Sequence, residues 1–389
     1  MDRSKYYKRY GETLKFQRFI NVIISARIRR GFFLVMASLI LIAAYTNCSE
    51  FKVTQTSEIS TVTTSSFSPV CDNQAVMLGE HPHAKLQNTT RGRQLREAKG
   101  WKGKMYWGYG DLIANTGPVW ITAYDPTTKQ WEDLFQFDTE EIGRFREIGN
   151  QLWIAAADPR GVADPEYAIA DNHNNWQQVN IGQSNHIMDV VAGAPGEIFL
   201  VGSRRLEPFA VGDGAAVWRS VNNGPFELIF PNATAFDTTT YMFDNAAYIG
   251  GQLFAQSAGL PKVFDGVSWK QGPDLGQFTS PVTLAGKIIF EALQKLWSFD
   301  GRQTALIDID VAQPPDEEYR IDQQSLYRVE DDNFIVVTHN YTVQYSKDLV
   351  TWKCAGKAPV TASSLGVLNG VIYFGTTDSK IYSFESPTF

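Results

Sequence analysis

Four acidic residues, Asp111, Asp158, Asp164 and Glu207, fall in three segments dominated by turn-forming and polar residues: 111–118, 158–166 and 203–214. Two carboxyls set ~5–9.5 Å apart are what acid–base cleavage of a glycosidic bond requires, so these four are the candidates for such chemistry. The same segments carry Asn115, Arg160, Arg204, Arg205 and Asp213, with Trp107 and Tyr109 just upstream. Mixed Asp, Arg and Asn beside aromatic rings also suit recognition of a polar ligand, either a glycan or a protein surface. The rival reading is that the charges solvate loop tips and that Gly108 and Gly110 serve tight turns. Metal chemistry has one candidate, Glu80-His81-Pro82-His83, but two histidines around a proline in a loop read as solvated, and no metal is expected. His173, His186 and His339 are isolated, and Asp308 and Asp310 alternate along one strand as an outer face would. There is no nucleophile elbow, Walker loop, Cys-x-x-Cys or His-Glu-x-x-His, so no cofactor is expected.

These segments are the irregular parts of a repeat. From Trp101 onward, a unit of two apolar strands, a turn and an aromatic in a polar tail recurs every ~40 residues, a period characteristic of propeller blades. The copies centre on Tyr106 to Trp131, Leu152 to Trp176, Ile198 to Phe226, Leu253 to Trp269, Ile288 to Leu306, Phe334 to Trp352 and Ile372 to Phe384. In the first copy the strands are expected at 97–104, 105–110, 119–125 and 130–135. The last copy has three strands, and the apolar segment 75–78 is short enough to supply the fourth and close the ring, which removes an exposed edge. The fold class expected is all-β, a β-propeller of seven four-stranded blades closed by an N-terminal strand. Six blades is the alternative, because the fifth copy lacks its aromatic tail. In such a ring the loops between second and third strands open on the face that also carries the inter-blade links, and the long ones belong to the first three copies. Connecting segments carry function disproportionately.

Two turns, Ser346-Lys347-Asp348-Leu349-Val350-Thr351-Trp352 and Ser220-Val221-Asn222-Asn223-Gly224-Pro225-Phe226, resemble the Asp-box hairpins of sialidase-like propellers. The repeats as a set are similar to the propeller superfamily, of kelch-like or Asp-box-like type. The first turn lacks the Gly of the pattern and the second has Asn for its Asp. In the Asp-box family the box is structural, so the resemblance implies a fold and no sialidase activity.

The N-terminus has a different composition. Arg27, Arg29 and Arg30 precede an uncharged apolar run at 31–45. That run is as long as a signal-peptide core gets and short of the ~20 residues that span a bilayer comfortably. Positive charge ahead of it directs the downstream chain away from the cytoplasm. Cys48 follows the run where bacterial lipoprotein precursors carry the cysteine that is diacylated, and this segment resembles such a signal, with Asn47 departing from the usual small residue. Arg29-Arg30 also resembles a twin-arginine motif. Residues 49–70 are half Ser and Thr and read as a tether. The chain therefore divides into a signal peptide or membrane anchor (1–47), a flexible tether (48–70) and a propeller (71–389).

Only Cys48, Cys71 and Cys354 are present among 389 residues. An exported chain meets oxidising conditions, so Cys71 and Cys354 are either a disulfide, worth roughly 5 kcal/mol in the chain-entropy model, or two separate thiols. A net charge of −7 offers no basic face for nucleic acid. The expectation is an exported, membrane-anchored monomer that binds a protein or carbohydrate through the long loops of blades one to three. A glycan-active hydrolase or lyase using loop carboxylates on the same face is the alternative.

Overall fold

The computed structural model describes residues 73–158, 166–182, 184–205, 213–230, 242–256, 261–276, 279–292, 295–307, 309, 326–330, 334–339 and 341–385. The chain divides into two units, Met1–Ser66 and Phe67–Phe389. The first lies outside the described residues; the second is a seven-bladed β-propeller.

Strand β1 (Val76–Glu80) precedes a short helix α1 (Thr90–Arg93). Blade 1 follows as β2 (Glu97–Trp101), β3 (Lys104–Gly108), β4 (Val119–Asp125) and β5 (Gln130–Phe137), and blade 2 as β6 (Phe145–Ile148), β7 (Gln151–Ala155), β8 (Tyr167–Ala170) and β9 (Trp176–Val179). Blade 3 is β10 (Ser184–Ala192), β11 (Glu197–Arg205), β12 (Asp213–Val221) and β13 (Glu227–Phe230). Blade 4 is β14 (Asn245–Ile249), β15 (Gln252–Gln256), β16 (Lys262–Phe264) and β17 (Trp269–Gln271). Blade 5 is β18 (Thr279–Leu284), β19 (Lys287–Ala292), β20 (Lys295–Phe299) and β21 (Thr304–Leu306). Blade 6 is β22 (Leu326–Glu330), β23 (Phe334–His339), β24 (Thr342–Ser346) and β25 (Lys353–Lys357). Blade 7 takes β26 (Ala362–Leu368), β27 (Val371–Thr376) and β28 (Lys380–Glu385), and β1 is its outer strand, with Val76 opposite Ser383 and Glu80 opposite Lys380.

The six-blade alternative is thereby excluded. The fifth copy does have an outer strand, β21, but all three of its residues are exposed, so it has no aromatic to bury. The closing strand runs 76–80 rather than 75–78, and β2 stops at Trp101 because Lys102 and Gly103 take positive φ (48° and 75°) in the turn to β3.

Strand character follows position. The second strands β7 and β27 are covered on both sides by neighbouring blades and are buried along nearly their whole length. The outer strand β5 is instead exposed or half-buried along its length up to Phe137, its one buried residue. Between blades the apolar fill is largely aromatic: Trp107, 5.6 Å from Trp131 of its own blade, sits 6.4 Å from Tyr373 of blade 7, Phe230 sits 4.8 Å from Trp269, and Phe254 sits 5.3 Å from Phe299. Inclined ring pairs at such separations add to the area they bury. Blades 7 and 1 approach so closely that a Cβ on Gly100 would lie 2.2 Å from the Val367 carbonyl oxygen.

Alternation of strand direction sorts the loops. Links between blades and the loops joining second to third strands lie on one face, here the connector face. The remaining hairpins lie on the opposite, hairpin face. There the third-to-fourth-strand turns are tightened by aspartates: Asp348 accepts from the amides of Val350 (2.9 Å) and Thr351 (2.7 Å), and Asp300 from Arg302 and Gln303 (both 2.9 Å). Asp265 accepts from Val267 and Ser268, Asp171 from His173 and Asn175, and Asp125 from Thr127 and Thr128. A short carboxylate bonding amides two to four residues on is the usual Asx device for a tight turn.

Candidate functional site

The link from β1 to β2 (residues 81–96) crosses the connector face and supplies much of its polar surface. Its first residue, His81, is fully buried. The ring Nδ1 accepts from the Ala84 amide (3.1 Å), so the proton resides on Nε2, which donates to Thr122 Oγ1 at 2.8 Å. The ring also meets Tyr109 (4.8 Å) and Trp131 (4.9 Å). Burial, assisted by nearby His83, pulls the His81 pKa down from 6.5 to about 3. The sequence reading of a solvated histidine pair is therefore corrected: His81 is a core residue with both nitrogens occupied. His83 stacks on Trp120 (5.6 Å) and bonds Asp133 at 2.8 Å. Among the described residues no group of three or more His, Cys, Asp or Glu is placed to hold a metal.

Helix α1 begins on Thr89, whose Oγ1 accepts from the Gly92 amide (2.8 Å) and donates to Asp111 Oδ2 (2.7 Å). Asp111 itself, 4% exposed, also accepts from the amides of Ile113 (3.0 Å) and Ala114 (3.2 Å). Burial alone would raise its pKa, but these donors and Arg91 outweigh it and hold the carboxyl below the usual range. A general acid needs the reverse, a pKa lifted toward working pH. Arg91 ties the loop to the next blade link: its Nε lies 3.5 Å from Asp111 Oδ1 and its Nη2 3.2 Å from Glu141 Oε2, and Arg96 Nε approaches Glu141 Oε1 at 3.6 Å. The Glu141 side chain is 7% exposed and that of Arg91 36%, so the cation is the member that faces outward.

Residues 138–144, the link from blade 1 to blade 2, run between two of the sequence-predicted acids. The Asp111 amide bonds the Glu140 carbonyl (3.0 Å), and the Glu140 amide bonds the Asp158 carbonyl (3.2 Å). At Gly110 (φ 120°) a Cβ would lie 2.3 Å from the Glu140 carbonyl oxygen, so only glycine lets this link pass so close. Beside Asp158 stands His186, with Nδ1 2.8 Å from the Ala157 carbonyl and 3.5 Å from Asp158 Oδ1.

Of the residues expected at the site, Asp111 and Asp158 flank this link, and Asn115 is exposed at the tip of the blade 1 loop. Ile113 (73% exposed) and, in the 81–96 link, Leu86 (70%) stand out on the same face. Trp107 and Tyr109 are corrected: each is 1% exposed. Trp107 packs within the inter-blade aromatic layer, and the Tyr109 hydroxyl accepts from the Trp120 amide at 2.8 Å. Their faces are used up by the core. Arg204 is half-buried on β11; Arg205 and Asp213 pair opposite one another across β11 and β12. Arg160, Asp164 and Glu207 lie outside the described residues, as do Cys48, Cys71 and the apolar run 31–45. No helix of the described residues is long and apolar enough to cross a membrane.

A second polar cluster, absent from the sequence expectations, lines the central channel. Asp189 on β10 is fully buried and receives Arg146 in bidentate fashion (Nε to Oδ1 2.8 Å, Nη2 to Oδ2 2.7 Å) and Arg144 Nη1 at 2.5 Å. Arg144 Nη2 reaches Asn245 Oδ1 (3.0 Å) and Arg146 Nη2 the Pro281 carbonyl (3.3 Å). One carboxylate thus links the inner strands of blades 2, 3, 4 and 5. Burial alone would raise the Asp189 pKa; Arg144 and Arg146 overcome it and keep the group ionised. Beside the cluster a cavity of about 150 Å³ is lined by Arg146, Glu147, Val191, Tyr248, Pro281 and Thr283. Glu147 pairs with Lys99 of blade 1 at 2.8 Å. The signals for these residues were a charged run, 138–146, directly ahead of an inner strand, and a lone aspartate inside the apolar stretch 187–192.

No family model matches the chain, and no curated protein matches it. Among solved structures it is similar to a chain of the mitotic checkpoint complex, at 8% identity over 88% of this chain and 100% of that one, with a TM-score of 0.53. It is similar also to the Pan2 WD40 domain of Neurospora crassa, at 10% identity over 81% and 96% with a TM-score of 0.52. A third is an extracellular domain described as belonging to a hybrid two component system of B. thetaiotaomicron, at 9% identity over 81% and 43% with a TM-score of 0.53. At such identities the likeness is one of fold.

Proposed function

We propose that this chain is an exported binding module, held to a membrane by its N-terminal segment, whose protein or glycan ligand meets the connector face over blades 1 to 3. The observation that carries this reading is the asymmetry between the two faces. On the hairpin face, short turns satisfy their own amides through aspartate side chains. On the connector face, four separate segments bring Arg91, Arg96, Asp111, Glu141 and Asp158 together, with Asn115, Ile113 and Leu86 exposed beside them. Polar groups fixed by a rigid scaffold and set among exposed apolar side chains are the usual make-up of a recognition surface. The apolar run 31–45, Cys48 and the Ser/Thr-rich 49–70 stretch support export and anchoring. The hydrolase alternative receives no support from Asp111, whose carboxyl is engaged as a turn cap.

The test places a photo-crosslinking residue at Leu86 or Ile113 on the connector face, or at Val267 or Val350 on the hairpin face, in the full chain in its native cells. A discrete adduct from Leu86 and Ile113 and none from Val267 and Val350 is expected. Adducts confined to the hairpin-face positions would overturn the assignment. A glycan array probed with the purified chain separates the two ligand classes.

A further inference from the structure

The segment just ahead of β1 is attached to blade 6, not to the blade that β1 completes. Lys357 donates its amide to the Asn73 carbonyl (2.8 Å), Asn73 Nδ2 donates to the Ala355 carbonyl (3.3 Å), and Gln74 forms a parallel bridge with Lys357. The fit is close: a Cβ on Gly356 would lie 2.7 Å from the Asn73 carbonyl oxygen. Cys354 is disulfide-bonded, and the chain offers only Cys48 and Cys71 as partners.

From this attachment two residues downstream of Cys71, and from the short list of cysteines, we infer that Cys71 and Cys354 form a disulfide that fastens the root of the N-terminal segment to the outer strand of blade 6. The bond then separates two jobs. β1 closes blade 7 through its ladder with β28, while a pull arriving from residues upstream of 71 is taken by a covalent link to blade 6. Without that link, the same pull would peel β1 from β28 one hydrogen bond at a time, since β1 is an outermost strand with a single neighbour. Forming the bond joins the sulfurs of two thiols and releases two protons and two electrons. These reduce an exchanging disulfide, of the dithiol-oxidoreductase or glutathione type, to its thiols. Such an oxidant belongs to compartments outside the reducing cytosol, so this inference concerns the covalent frame and stands independently of which ligand the connector face takes.

The experiment uses the full chain secreted through an oxidising compartment and purified without reductant, with a Cys48→Ser version alongside. Peptide mapping without reduction is expected to yield one linked pair, containing Cys71 and Cys354, that separates on reduction and persists in Cys48→Ser. Limited proteolysis is then expected to leave residues 72–80 protected in the oxidised chain and cut in the reduced chain or in Cys71→Ser, with a loss of several degrees in the unfolding midpoint. A pair linking Cys48 to Cys354, or alkylation of both Cys71 and Cys354 in the native chain, would overturn the assignment. A confirmed bond whose reduction changes neither proteolysis nor the midpoint would overturn the fastening role.

Discussion

Arg144 Nη1 lies 2.5 Å from Asp189 Oδ2, and this contact joins the link entering blade 2 to the inner strand of blade 3 at a fully buried carboxylate. Arg146 closes on the same carboxylate, so two cations depend on one anion. Removing that anion leaves both guanidiniums short of their counter-charge in a site that water enters poorly.

Asp189→Ala is therefore expected to cost about 3–5 kcal/mol, the range for breaking one partner of a buried ion pair. Chemical denaturation of both forms checks it. A loss under 1 kcal/mol would show that the two arginines find solvent or other partners without Asp189.

His81 predicts a distinct pH dependence. Its folded pKa is depressed, from 6.5 to about 3, by burial first and by His83 second. The contribution is thus fully present above about pH 6.5 and is lost as pH falls, because the unfolded chain takes up the proton first. The slope from this one group approaches ~1.4 kcal/mol per pH unit below the unfolded pKa and ends near the folded value. His81→Gln should lower the unfolding midpoint at neutral pH yet flatten its fall between about pH 6.5 and 5. Parallel curves for the two proteins would rule this out.

The hairpin-face aspartates act in a lower window. Asp125, Asp171, Asp265, Asp300 and Asp348 are all held below the ordinary carboxylate range, chiefly by the amides of Thr127, Asn175, Ser268, Gln303 and Thr351 respectively. Depressed folded values mean stability that is intact above about pH 4 and lost as pH drops further. Asp348→Asn keeps an acceptor in the turn and removes the titration, so its midpoint should fall less steeply in that acid window. Equal steepness would show that the turn carboxylates are not the linked groups.

For the N-terminus, Cys48→Ala is expected to move the chain from the membrane fraction to the soluble fraction if lipidation at Cys48 provides the anchor. Retention in the membrane after that change would assign the anchor to the apolar run 31–45 instead.

The fold was largely legible because strand alternation and turn residues recur with the blade period, and because the missing strand of the last copy had a short apolar match upstream. The site was legible only in part. Asp111 and Asp158 were found because they stand among turn formers, and the structure sets them on either side of residues 138–144. Trp107 and Tyr109 misled because an aromatic next to a loop looks the same whether it faces a ligand or, as here, the gap between two blades. Arg144, Arg146 and Asp189 were missed because their partnership spans 43–45 positions of sequence and depends on two inner strands meeting at the channel, a contact that no local pattern encodes.

The pairing of β1 with β28 sets an order on assembly. Val76 must find Ser383, its partner more than 300 positions downstream. As the chain emerges from its N-terminus, the strand made first has nothing to pair with until the last blade is complete. Each of the first six blades can form its sheet from its own residues, whereas blade 7 waits for both ends. Closure of the ring is then a late, all-or-none event that checks the whole chain. A truncation that removes β28 would leave two unpaired edges, on β1 and β27, in place of one missing strand.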